Sequence, residues 1–114
     1  MARKLIFYKT YFLDFFAGQD ERTKEKIDYV LAMISTVERV PVKFLKHLEG
    51  TDGLYEIRVK SGGNIFRVFC FFDEGNLVVL LQGFQEKTDK TPRNELQRAE
   101  KIKQEYFETK PNQP

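Results

Sequence analysis

The sequence has no tryptophan, one cysteine and one histidine, and these scarcities exclude several kinds of protein. A single cysteine cannot form an internal disulfide, so the chain is not a disulfide-stapled secreted domain. Cys70 lies in an apolar run, which predicts a buried thiol, because a reactive thiolate needs an accessible, electropositive setting. His47 has no second histidine, cysteine or carboxylate cluster nearby in sequence, so we expect no metal site and no cofactor.

Long apolar runs and an N-terminal leader are also missing. The first apolar run extends only from Leu5 to Tyr8 before charge returns at Lys9. A secretory signal needs a longer apolar segment, and a membrane-spanning helix needs about 20 apolar residues. We therefore expect a cytoplasmic protein that does not associate with membranes.

The chain that remains has the composition of one globular domain. Its 114 residues are 41% hydrophobic and 32% charged, which suits a single domain with a modest core. Eleven phenylalanines and five tyrosines indicate a core rich in aromatic rings. The net charge of +2 and the pI of about 8.6 are below what a dedicated nucleic-acid domain shows, so charge alone does not argue for RNA or DNA.

The stretch from Leu54 to Lys87 predicts three antiparallel strands separated by two turns. The segments 61–64 (SGGN) and 73–76 (DEGN) supply the glycine and asparagine residues that tolerate the positive φ of tight hairpins. Between them lie runs of Val, Ile, Phe, Leu and Tyr, which are typical of strands. A turn at Gly62-Gly63 pairs Ser61 with Asn64 and, further along, Arg58 with Arg67.

Because side chains alternate across a strand, this register predicts two unlike faces. One face is almost wholly apolar and is the predicted core face: Tyr55, Ile57, Val59, Phe66, Val68, Cys70 and Phe72. The other carries charge beside aromatic rings: Glu56, Arg58, Lys60, Ile65, Arg67, Phe69 and Phe71. Phe69 and Phe71 have no obvious cover, which predicts an interaction patch for an acidic or mixed-charge partner unless the C-terminal helix folds over them.

The opposed pair Arg58 and Arg67 is the least expected feature of the second face. Like charges directly opposite each other destabilise a sheet. A fold keeps such a pair when a carboxylate or an anionic ligand lies between them. Glu56 is the internal counter-ion under the first interpretation, and a bound anionic ligand takes that place under the second.

Helix signals flank the predicted strands. Thr10 is placed to cap a short helix that ends at Gly18, and Asp20 to cap an amphipathic helix of about 18 residues. Thr91 as N-cap with Pro92 at the first helical position marks a last helix. With a first strand at Lys4–Lys9, the order is β-α-α-β-β-β-α. This predicts an α+β fold with an antiparallel sheet and helices on one face, in a single domain over residues 1–108 with a polar tail at 109–114.

This order and several short motifs resemble the RelE/ParE toxin superfamily, and within it the phage-derived, HigB-like branch of type II toxin–antitoxin toxins. The residues that carry the resemblance are KHLEG (46–50), GLYEIR (53–58), FR (66–67), LLQGFQEKT (80–88) and KTP (90–92). The resemblance covers about residues 3 to 108.

The resemblance implies a metal-independent endoribonuclease that cleaves mRNA on the translating ribosome, with the ribose 2′-hydroxyl as internal nucleophile. It also implies a toxin that is monomeric when free and is held inactive by a cognate antitoxin, expected to be a helix-turn-helix protein. ParE-like relatives share the fold and inhibit DNA gyrase without catalysis, so that function is the alternative. A third interpretation is that the arginine pair has only a structural role.

Carried over residue by residue, the resemblance implies that Arg58, Arg67 and Lys87 are catalytic. Glu56 stands where a RelE-like enzyme has a lysine, and Glu86 where this branch often has one, so both depart from the family pattern. Candidates for acid–base catalysis or RNA contact are Glu56, Glu86, Lys60 and Lys90.

Overall fold

The computed structural model describes residues 2–88 and 90–110, so residues 111–114 of the predicted polar tail lie outside the described part. In chain order, the elements are β1 (Lys4–Phe7), α1 (Tyr11–Ala17), α2 (Glu21–Thr36), β2 (Leu45–His47), β3 (Leu54–Ser61), β4 (Asn64–Asp73), β5 (Leu77–Gln85) and α3 (Arg93–Thr109). The strands form one sheet in the order β1-β5-β4-β3-β2. The predicted α+β class is confirmed. No helix of the described ranges combines the length and the apolar character needed to cross a membrane.

The predicted element order and the predicted antiparallel sheet are each wrong in one respect. The order lacked β2, which pairs with β3 through Leu45 opposite Ile57. With three residues, β2 is too short to show a strand alternation in the sequence. The sheet is mixed, because β1 runs parallel to β5 while the other neighbours are antiparallel.

The predicted β3–β4 register is confirmed. Ser61 lies opposite Asn64, and Arg58 lies opposite Arg67. The turn between the strands places Gly62 at φ 58° and Gly63 at φ 80°, a region that residues with a Cβ rarely adopt.

One face of the sheet packs against α1 and α2, as the apolar alternation predicts. Ile27, Val30 and Ile34 of α2 are buried in one cluster with the predicted core face, including Phe66 and Cys70. Burial raises the pKa of the Cys70 thiol, which agrees with its expected inertness. The N-cap of α2 is also as predicted, since the Asp20 carboxylate accepts a hydrogen bond from the backbone N–H of Thr23.

The prediction that all helices pack on one face is wrong, because α3 covers the opposite face. Ala99, Ile102 and Tyr106 of α3 form a second core cluster with Phe69 and Phe71. Both phenylalanine rings are buried, so the predicted exposed patch on the arginine face does not exist. The fold therefore has three layers, with helices above and below the sheet.

The start of α3 differs from the predicted cap. Pro92 is the N-cap and makes no side-chain capping hydrogen bond, and the helix begins at Arg93. The Thr91 hydroxyl, predicted to cap, instead accepts a hydrogen bond from Arg67. The predicted Thr10 cap of α1 also makes no side-chain capping bond.

A β-bulge interrupts the pairing of β4 with β5. Val68 lies opposite Gly83, but Cys70 lies opposite Leu80, so β5 carries one extra residue between these pairs. Beyond the bulge, Arg67 lies opposite Phe84, and the backbone N–H of Glu86 donates to the carbonyl of Ile65. Because an extra residue reverses the facing of everything after it, the bulge places Glu86 on the arginine face.

A small polar cluster fixes the far end of α3. The Tyr106 hydroxyl donates to Asp73 Oδ2 at 2.7 Å, and Lys110 Nζ donates to the same oxygen at 3.0 Å. Burial raises the pKa of Tyr106 to about 12, and the hydrogen bond to Asp73 adds to the rise. Burial also acts to raise the pKa of Asp73, but hydrogen bonds from Tyr106 and Lys110 outweigh it and hold this pKa below its ordinary value.

Candidate functional site

A cleft of about 560 Å³ opens on the arginine face, between β2, β3 and the start of α3. Its position follows from the three-layer fold, because α3 covers the Phe69–Phe71 part of this face and leaves the arginine end accessible. The cleft is lined by Lys46, His47, Leu48, Glu49, Glu56, Arg58, Arg67, Thr91 and Leu96.

Arg67 is the buried centre of this cleft. Its side chain is 4% exposed, and its Nε donates to Glu86 Oε1 at 2.8 Å. Its Nη2 contacts the same carboxylate oxygen, and its Nη1 donates to the Thr91 hydroxyl at 2.9 Å. Nε also lies 3.4 Å from Glu56 Oε2. The guanidinium is therefore held in one orientation by groups from β3, the end of β5 and the start of α3.

Arg58 is the more accessible of the two arginines. Its side chain is 41% exposed, and its Nη2 lies 3.6 Å from Glu86 Oε1. The Glu86 carboxylate thus stands between the two opposed guanidinium groups and relieves their repulsion. A carboxylate between the arginines was one of the two expected solutions, but the residue that takes the bridging place is Glu86, whereas Glu56 contacts Arg67.

Glu56 is buried and incompletely satisfied. Its Oε2 has no hydrogen-bond partner in the described structure, although it lies within ion-pair distance of Arg67. Lys46 lies directly opposite Glu56 in the β2–β3 pairing. Glu56 lines the cleft, but its Oε2 is shielded beside Arg67, so a molecule bound in the cleft could reach this oxygen only if the carboxylate moves.

The other predicted site residues lie outside this cleft. Lys87 and Lys90 are exposed and line a neighbouring cleft with Phe84, Gln85, Thr88, Pro92, Asn94 and Glu95. Lys60 is exposed on β3 and lines a groove at the sheet edge beside α2. The structure therefore brings together Arg58, Arg67, Glu56 and Glu86, and does not bring the three lysines to them.

Six of the nine residues that line the cleft were not predicted as site residues: Lys46, His47, Leu48, Glu49, Thr91 and Leu96. Lys46 falls in a predicted connector, and its position opposite Glu56 becomes visible only once β2 is known to pair with β3. Thr91 was expected to cap a helix, and no sequence signal links it with Arg67. Among the residues described, no group of three or more His, Cys, Asp or Glu side chains is arranged to hold a metal ion.

Comparison with known proteins identifies the family to which this chain belongs. Residues 14–104 match the family described as Phage derived protein Gp49-like (DUF891). None of the curated proteins compared with the chain matches it. The matched region runs from within α1 to within α3 and includes Arg58 and Arg67 together with their carboxylate partners Glu56 and Glu86. The chain therefore belongs to the Phage derived protein Gp49-like family.

Proposed function

We propose that this protein is the toxin of a type II toxin–antitoxin system and that it cleaves mRNA on the translating ribosome, without a metal ion. Membership of a phage-derived family and the resemblance to HigB-like toxins support the toxin role. The observation that carries the nuclease role is the pair of facing arginines at the floor of an open cleft. The expected partner is a cognate antitoxin that holds the toxin inactive.

The proposed reaction is an in-line transesterification within the RNA. The ribose 2′-oxygen bonds to phosphorus while the bond from phosphorus to the 5′-oxygen breaks. The products are a 2′,3′-cyclic phosphate and a free 5′-hydroxyl. Negative charge builds on the non-bridging oxygens in the transition state, so fixed cations at that position lower the barrier.

Arg58 is the proposed contact to the scissile phosphate, because it is partly exposed and its planar fork suits two phosphate oxygens. Arg67 is buried among carboxylates. Its proposed task is to orient Glu56 and Glu86 and to add positive charge at the cleft floor. Glu56 is the proposed base for the 2′-hydroxyl proton, because this carboxylate lines the cleft beside Arg67, and the role requires its buried Oε2 to turn toward the cleft.

Glu86 occupies the place that a phosphate needs between the arginines, so it competes with the substrate. Its contact to Arg58 is long, at 3.6 Å, and is the easier of its arginine contacts to exchange for a phosphate oxygen. Replacement of Glu86 by glutamine removes the competing charge. We expect Glu86→Gln to bind RNA more tightly than the wild type.

Lys87 keeps its proposed role as proton donor to the leaving 5′-oxygen. It directly follows Glu86 in the segment after β5, and its side chain is exposed. Because it lines the neighbouring cleft, this role requires the segment after β5 to shift when RNA binds. Lys87→Gln therefore tests a role separate from that of Arg58.

The decisive experiment compares Arg58→Gln with Arg39→Gln. Arg39 is an exposed arginine in the segment after α2. The carbonyl of the neighbouring Glu38 accepts a hydrogen bond from Arg3, which directly precedes β1, the edge strand on the other side of the sheet from β2. Growth arrest on induction and primer extension on a translated message measure toxicity and cleavage. Removal of one preorganised electrostatic interaction lowers the rate by about 10²–10³. We expect that reduction for Arg58→Gln, partial recovery for Arg58→Lys, and full activity for Arg39→Gln.

Full toxicity of Arg58→Gln, Arg67→Gln and Lys87→Gln at normal expression would contradict the nuclease site. Growth arrest that persists without any mRNA cleavage would favour the gyrase-inhibitor alternative. Inhibition of gyrase supercoiling by the purified protein measures that alternative directly.

A further inference from the structure

A second groove lies beside the arginine cleft, at the sheet edge between α2 and the part of β3 that extends beyond its pairing with β2. It has a volume of about 500 Å³, and its lining residues are Lys26, Tyr29, Val30, Lys43, Phe44, Arg58, Val59, Lys60 and Ile65. Arg58 lines both this groove and the cleft that holds Arg67. The two depressions are therefore adjacent and meet at the arginine proposed to contact the phosphate.

The groove is built on fixed elements of the fold. The Thr23 and Ser61 hydroxyls form a buried hydrogen bond of 3.0 Å, which joins α2 to the end of β3. Lys26 lies one helical turn after Thr23, and Lys60 directly precedes Ser61. On the other side, the backbone N–H of Arg58 donates to the carbonyl of Phe44 at 2.9 Å.

The charge of the groove is of one sign. Four of its lining residues are cations, and none is an aspartate or glutamate. Lys26, Lys43 and Lys60 make no ion pair with any carboxylate of the described residues. Arg58 shares its charge with Glu86, so the three lysines supply the positive charge of the groove. Like charges held together in this way attract a polyanion.

An exposed aromatic ring adds a second kind of contact. Tyr29 is 66% exposed, and its position on α2 places it at the groove rather than in the core. Aromatic rings beside a cationic groove are the combination that binds single-stranded nucleic acid, since phosphates meet the cations and a base stacks on the ring. An acidic peptide would use the lysines but would not need an exposed aromatic ring for stacking.

We infer that this groove binds the single-stranded RNA that flanks the scissile phosphate, with Lys26, Lys43 and Lys60 on phosphates and Tyr29 under a base. This inference rests on the proposed nuclease function and extends it from one phosphate to a track of several nucleotides. It assigns to α2 a part in substrate binding that does not depend on Arg67 or Lys87.

Binding of a 2′-O-methyl oligouridine tests the groove apart from catalysis, because this probe has no 2′-hydroxyl to react. Fluorescence anisotropy of a labelled probe, measured over a series of KCl concentrations, gives the Kd and its salt dependence. The test variants are Lys26→Gln/Lys60→Gln, Tyr29→Ala and Tyr29→Phe. The matched control is Lys4→Gln/Lys101→Gln, which removes the same charge from exposed residues of β1 and α3.

We expect the groove double variant to bind more weakly and to lower the slope of log Kd against log salt by about 1.4, roughly 0.7 for each phosphate that no longer meets a lysine. Tyr29→Ala should weaken binding roughly 5- to 150-fold, the range for one base stacked on an aromatic ring, and Tyr29→Phe should restore it. The control double variant should keep most of the wild-type slope.

Equal slopes for the groove and control variants would overturn the inference. So would unchanged oligonucleotide binding combined with abolished binding of poly-L-glutamate, which would identify the groove as a protein-docking surface. Weakened probe binding in the groove variants, together with no cleavage of a translated message by the wild type, would support the groove and contradict the proposed nuclease. Cleavage that is lost in Arg58→Gln, together with probe binding that the groove variants leave unchanged, would support the proposed nuclease and contradict the groove.

Discussion

Replacement of Arg67 by glutamine removes the cation that faces two buried carboxylates. The side chains of Glu56 and Glu86 are 7% and 10% exposed, so neither can recover its full hydration when the guanidinium is removed. Removal of one partner from a buried ion pair costs about 3–5 kcal/mol. Arg58 still reaches Glu86, so Glu56 suffers the larger loss. Because a domain of this size is stable by about 5–15 kcal/mol, Arg67→Gln should remove a large part of that stability.

Urea unfolding followed by far-ultraviolet circular dichroism measures this loss. The control is Arg58→Gln, which removes the same charge from a side chain that is 41% exposed and should cost only about 0–1 kcal/mol. A second comparison adds Glu56→Gln to Arg67→Gln, which should recover part of the loss because the stranded charge is gone. Equal stability of Arg67→Gln and Arg58→Gln would refute the argument that Arg67 is bound into a buried charge network.

Three further substitutions test other parts of the fold by denaturant unfolding. Phe66→Ala should cost about 3–5 kcal/mol, since the ring is buried against α1 and α2, and an unchanged curve would mean that the core face is wrongly assigned. Tyr106→Phe should cost about 1.5–3 kcal/mol by removing a hydrogen bond to the Asp73 carboxylate. The pKa of Asp73 is lower in the folded protein, so this carboxylate stabilises the fold above its unfolded pKa and stops doing so as the pH falls through its folded pKa. Tyr106→Phe should therefore reduce the stability that the protein loses in acid. The same dependence of stability on acid pH in Tyr106→Phe and the wild type would contradict this prediction. Gly83→Ala should cost about 1–3 kcal/mol, because the new Cβ would lie 2.5 Å from a ring carbon of Phe15, and a wild-type melting temperature would show that the ring moves freely.

The β3–β4 hairpin was predictable because its information is local. The glycine turn fixes the pairing, and alternation then decides which side chains share a face. Arg58 opposite Arg67 follows from these two facts alone. The N-cap at Asp20 was predictable for the same reason, since the capping hydrogen bond reaches only to Thr23.

The partners of the arginines were less predictable because they depend on a bulge. If β4 and β5 paired regularly beyond Cys70 and Leu80, the side chain of Gln85 would point to the arginine face. Side chains alternate along a strand, so Lys87 would then point to the same face. The extra residue in β5 reverses this facing and brings Glu86 to Arg67. Gly83 stands at the bulge and is compatible with one, but a lone glycine in a strand does not fix where the extra residue lies, so the sequence alone does not decide whether Glu86 or Lys87 shares the arginine face.

The side of the sheet covered by α3 was also beyond local reasoning. The apolar stripe of Ala99, Ile102 and Tyr106 predicts a buried helix face but does not say which sheet face it meets. Phe69 and Phe71 are the complementary apolar surface, and the sequence left open whether they form an exposed patch or are covered by the C-terminal helix, as the structure has them. When a sequence predicts an uncovered apolar sheet surface and an amphipathic helix whose packing partner is not known, the helix should be expected to cover that surface.

The parallel pairing of β1 with β5 ties the folding of the sheet to the order of synthesis. Lys4 pairs with Leu77, so β1 leaves the ribosome long before its partner exists, whereas the β3–β4 hairpin can form as soon as its two strands are made. Pairings between residues so distant in sequence are slow to form. Until β1 docks, the apolar strand from Leu77 to Leu81 presents an open edge that can pair with another chain. Docking of β1 replaces this edge by one of only four residues, and a short edge strand is less prone to pair with other chains, so we expect deletion of residues 4–7 to lower the yield of soluble protein.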